Sequence, residues 1–71
     1  MNSKPKGSPL SRFRQRRGLS QYALAKKVGI AQSHLRSIER GETEPRVRLA
    51  IRLAKELGVS ERELFPRLDA A

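Results

Sequence analysis

Gln32, Ser33, Arg36, Ser37 and Arg40 recur at one- and three-residue steps along QSHLRSIER, the spacing of a single helix face. All five carry hydrogen-bonding groups and none is apolar. Gln can pair bidentately with adenine at N6 and N7, Arg with guanine at O6 and N7, and Ser with several base edges. If Leu35 and Ile38 point inward with Ala31, this face suits the major groove of a duplex. Most helices turn a polar face outward, so placement and charge must decide between a reading surface and plain solvent exposure.

Charge favours the reading surface. Residues 1–38 hold nine Lys or Arg and no acid, whereas residues 39–71 hold seven of each, so the whole net charge of +9 falls in the first half. Positive charge gathered in this way suits a polyanion, because each neutralised phosphate releases condensed counterions.

The elements that must position this face are marked by capping residues and glycines. In SPLSRFRQRRG, Ser8 caps a first helix, Pro9 takes its first position, Leu10 and Phe13 share a face, and Gly18 lies past its end. In SQYALAKKVG, Ser20 caps a second helix, Leu24, Ala25 and Val28 line one side, and Gly29 suits the left-handed terminal position. Only Ile30 and Ala31 separate Gly29 from a third helix that starts at Gln32 and is ended by Gly41. Two helices joined by so tight a turn predict a helix-turn-helix.

A fourth helix over residues 46–57 carries Val47, Leu49, Ala50, Ile51, Leu53, Ala54 and Leu57 across an arc of about 200 degrees, with Arg48, Arg52, Lys55 and Glu56 outside. That arc is wide enough to centre the core and to spill into a subunit contact. Ser60 and Glu63 form a capping box for a short fifth helix, which adds Leu64 and Phe65 before Pro66 stops it. No alternating apolar pattern occurs, so the expected fold is all-α. One domain is expected over residues 8–66, with a basic arm at 1–7 and a short tail at 67–71.

Other function classes find little support. With no cysteine and one histidine, neither disulfides nor a metal site is expected, and no cofactor or small-molecule ligand is implied. No nucleophile, base and orienting partner occur together, and no Gly-rich phosphate loop is present, so an enzyme is not expected. The polar start and the lack of a long apolar run predict a cytoplasmic protein without membrane attachment. A protein-binding adaptor would have no reason to assemble Gln21, Gln32 and the basic half.

The stretch RRGLSQYALAKKVGIAQSHLRSIERGETEP resembles the Cro and phage-repressor class of helix-turn-helix DNA-binding domains, as does LAKELGVSERELF, and the likeness runs over residues 10–65. It includes Ala25, small where the two helices of the motif cross, Gly29 in the turn, and the apolar set Leu24, Val28, Ile30, Leu35 and Ile38. The resemblance implies a compact five-helix bundle, lambda-repressor-like, that binds double-stranded DNA as a homodimer on a near-palindromic operator. It implies a transcriptional regulator, with repression the expected mode and the third helix in the major groove. A DNA-binding antitoxin or the controller of a restriction-modification system would use the same operator chemistry.

Position by position, the resemblance implies that Gln21 binds phosphate through its side chain and backbone N–H, aided by the helix N-terminus. Tyr22 would offer its hydroxyl to a phosphate or pack. Gln32 and Ser33 would meet base edges first, Ser37 one turn further on, and Arg36 either a base or a phosphate. Arg40 and Arg46 would hold the DNA backbone without reading sequence. Arg14 would pair with Glu39, locking the first helix to the third, or add one more phosphate contact. This chain departs from the class where Ala31 and Arg46 replace the usual small capping residues, and where YA follows Gln21 in place of a capping box. His34, beside the reading face, is open to a DNA contact or to simple exposure.

Overall fold

In the computed structural model, which describes residues 8–66, the helices are α1 (Pro9–Arg16), α2 (Gln21–Val28), α3 (Gln32–Glu39), α4 (Val47–Leu57) and α5 (Glu61–Leu64). The arm and tail expected at 1–7 and 67–71 lie outside the described residues. Three helices begin on serine caps. Ser8 Oγ accepts the Ser11 N–H at 3.3 Å, Ser20 Oγ the Ala23 N–H at 3.0 Å, and Ser60 and Glu63 satisfy each other's backbone donors reciprocally. α3 and α4 begin at Ala31 and Arg46 with no side-chain cap.

The turn of the helix-turn-helix depends on Gly29, whose φ of +78° a side chain would strain. This conformation brings the Ile30 N–H onto the Ala25 carbonyl at 3.0 Å and lets the Ile30 side chain pack against the core. The same geometry closes α3, where Gly41 at φ +76° lets the Glu42 N–H reach the Ser37 carbonyl at 2.9 Å. Here the following residue is charged and exposed, so the loop after α3 faces solvent.

Each helix contributes one essentially fully buried leucine to the core: Leu10, Leu24, Leu35, Leu53 and Leu64. α3 packs on α1 and α2, α4 on α2 and α5, and α1 also on α5. The buried stripe of α4 is Ala50, Leu53, Ala54 and Leu57, which leaves the rest of the apolar arc outside the deepest core. Val47 and Ile51 are 70 % and 37 % exposed, because the short α5 covers only one side of α4. On α1 the buried residues are Leu10, Ser11 and Arg14, with Phe13 only partly covered. Ala31 is exposed, contrary to the inward placement expected, since its backbone is extended (φ −71°, ψ 148°) and the helical phase of Leu35 does not reach it.

Two arginines fasten helices across the fold, which no local spacing announced. Arg52 Nη1 donates to the Val28 carbonyl at 3.1 Å, at the C-terminus of α2, and Arg17 Nη2 donates to the Glu56 carbonyl at 3.4 Å, near the end of α4. Both place positive charge where helix dipoles end negative. Among the described residues no helix is long and apolar enough to cross a membrane.

The uncapped start of α3 gives a first expected result. Ala31→Ser keeps the extended conformation of a cap and supplies the missing acceptor. It should raise unfolding stability by about 1 kcal/mol, read as a higher urea midpoint at unchanged slope.

Candidate nucleic-acid interface

α3 separates two faces. Leu35, Ile38 and Glu39 are buried, while Gln32, Ser33, His34, Arg36 and Arg40 are exposed and Ser37 is half-buried. At 100 degrees per residue, Gln32, Ser33, Arg36, Ser37 and Arg40 fall within about 140 degrees of arc. The exposed face is therefore continuous. Arg40 Nε lies 3.2 Å from Glu42 Oε2, both groups well exposed, and such a surface pair contributes at most about 1 kcal/mol. A phosphate can take the guanidinium from it.

At the start of α2, the N–H groups of Gln21 and Tyr22 precede the first bond of the helix to Ser20, so its positive end is open to an anion. The Tyr22 ring is exposed, with Lys26 Nζ 5.7 Å from its centroid. It packs along α2 and not into the core. Arg46, exposed, stands at the N-cap of α4 beyond the loop that follows α3.

Beneath these groups lies a buried polar brace. Arg14 Nε donates to Glu39 Oε2 at 2.6 Å, its Nη2 donates to Oε1 at 3.2 Å, and its Nη1 donates to the Leu19 carbonyl at 2.8 Å. Gln21 Nε2 donates to the same Glu39 Oε1 at 2.9 Å. The two charged side chains are only 11 % and 4 % exposed, and no buried side-chain nitrogen or oxygen among the described residues lacks a partner. All three guanidinium nitrogens are engaged in these bonds, which use three of the five N–H donors of Arg14. The bond between Gln21 and Glu39 was not legible in the sequence, where the two residues stand 18 positions apart.

The helix-turn-helix family model matches residues 10–64. The chain belongs to the Cro/C1-type helix-turn-helix family. Members of this class similar to it include the HTH-type transcriptional regulator y4dJ of Sinorhizobium fredii, 40 % identical over 63 residues, spanning 89 % of this chain and 82 % of the relative. The HTH-type transcriptional regulator MJ0272 of Methanocaldococcus jannaschii is 36 % identical over 56 residues, covering 79 % of this chain and 85 % of its own. Among solved structures, the master regulator for biofilm formation SinR, crystallised in complex with DNA, superposes with a TM-score of 0.73 at 33 % identity. That alignment covers 79 % of this chain and 93 % of the crystallised SinR chain. An HTH_3 family transcriptional regulator from Vibrio cholerae superposes with a TM-score of 0.70 at 34 % identity, over 82 % of this chain and 33 % of the longer one. As a family member, the protein is a transcriptional regulator with a helix-turn-helix DNA-binding domain.

Proposed function

We propose that this protein is a repressor that reads a near-palindromic operator in double-stranded DNA as a homodimer, with α3 in the major groove. The observation that carries the reading is the continuous exposed face of Gln32, Ser33, Arg36 and Ser37, set in the half of the chain that holds all of the net charge. These side chains take the role of base contacts, while Gln21, Tyr22, Arg40 and Arg46 hold phosphates and fix the register. The likeness to SinR, a protein crystallised with DNA, supports DNA as the partner of this fold.

The homodimer is supported by an apolar groove between α4 and α5, lined by Val47, Ala50, Ile51 and Phe65 with Glu61 and Arg62 at its rim. Residues 39–66 carry six acids and six bases, so two copies meeting here avoid the repulsion that the all-basic half would impose. Half-sites would then lie about 34 Å apart, one turn of the duplex.

Selection of bound sequences from a random duplex library tests the reading. A near-palindrome should emerge, bound about 1,000-fold or more tighter than scrambled DNA. Against that site, Gln32→Ala should cost about 1–3 kcal/mol and relax preference at one base pair. Arg40→Ala should weaken all sequences alike and make the salt slope shallower by about one. If both variants weakened operator and random DNA equally, α3 would not be reading bases.

A further inference from the structure

We infer that Glu39, which is buried beside the reading face, positions the DNA interface by orienting the Gln21 amide. The inference rests on the DNA reading above. A carboxylate only accepts hydrogen bonds, so the bond of 2.9 Å to Glu39 Oε1 requires the Gln21 nitrogen, not its oxygen, to be the inner atom. Glu39 is itself immobilised by Arg14 Nε and Nη2. Arg14 Nη1 in turn holds the Leu19 carbonyl, two residues before α2 begins. One carboxylate therefore joins α1, α3 and the first residue of α2.

The consequence falls on phosphate binding. Gln21 Nε2 has two N–H groups and Glu39 takes one, which leaves the second for a ligand at the helix end where the backbone N–H groups of Gln21 and Tyr22 are open. A glutamine without such a partner loses rotamer freedom when it grips an anion, whereas this one is ordered in advance. Simple Coulomb reasoning predicts the reverse, since deleting an acid near DNA removes a repulsion. A replacement that removes one charge of each sign takes this term out of the comparison.

The variant of choice is the paired replacement Arg14→Met with Glu39→Leu. It removes one charge of each sign, leaving the net charge unchanged, and apolar replacement of a buried ion pair is often neutral or stabilising. Operator affinity should fall about tenfold, with no loss of unfolding stability. Gln21→Ala should cost about tenfold in the unaltered protein and at most about twofold in the paired background. Equal costs in the two backgrounds would overturn the inference.

A second measurement needs no variant. In the free protein, amide exchange by NMR should show one Gln21 side-chain proton protected and the other open, and the open one should shift when operator is added. Two protons that exchange equally would count against Glu39. Failure of the DNA reading shows separately, as an unaltered chain that binds no duplex, and it takes this inference down with it.

Discussion

Glu39→Ala should destabilise the free protein by about 3–5 kcal/mol, a large part of what a domain of this size possesses. The cause is what the substitution leaves behind. Arg14 keeps its charge in a site where its side chain is only 11 % exposed, and it loses the two bonds that Glu39 accepts. The Leu19 carbonyl offers a dipole at 2.8 Å but no compensating charge. Gln21 loses its partner as well. Because the pair lies out of solvent, the loss should persist at high salt, unlike any effect of breaking the exposed Arg40–Glu42 contact. Urea unfolding of Glu39→Ala beside the paired Arg14→Met, Glu39→Leu variant measures the difference. A cost below about 1 kcal/mol for the single change would mean that Arg14 reaches water, and that the brace is no tighter than a surface pair.

How much of this was legible before the structure depends on the range of each interaction. Caps and terminators are local, so Ser8, Ser20 and Ser60 at helix starts and Gly29 and Gly41 after helix ends could be read from their neighbours in the chain. The polar face of α3 was equally visible, because its period follows from one helix alone. How much of the apolar arc on α4 would be core and how much would spill outward was not legible, for the converse reason. Periodicity counts apolar residues, but whether Val47 and Ile51 are covered depends on how far the short α5 extends. The same limit applies to charged groups. Arg14, Arg17 and Arg52 are alike in sequence, yet the fold gives them a buried carboxylate and two helix-terminal carbonyls, partners 25, 39 and 24 residues away. Family resemblance gave the first of these pairings and was silent on the other two.

Leu53→Ala provides the contrasting case, in which stability and binding should separate. Leu53 is fully buried at the middle of α4, and truncating such a leucine leaves a cavity that costs about 2–5 kcal/mol. α3, however, rests chiefly on α1 and α2, whereas α4 packs on α2 and α5. The damage should therefore reach the folded fraction without tilting the reading face. Excess operator would then recover stability by linkage, by about 2.7 kcal/mol at one hundred times Kd, since only the folded form binds. Calorimetry with and without operator should show a lowered melting temperature that DNA restores, and titration at low temperature should return nearly the affinity of the unaltered protein. Glu39→Ala should behave differently, because it loosens α1 against α3 and releases Gln21, so its affinity should stay low even where the chain is fully folded. Equal losses of affinity for the two variants, measured under folding conditions, would show that the core as a whole sets the interface and that Glu39 has no special part in it.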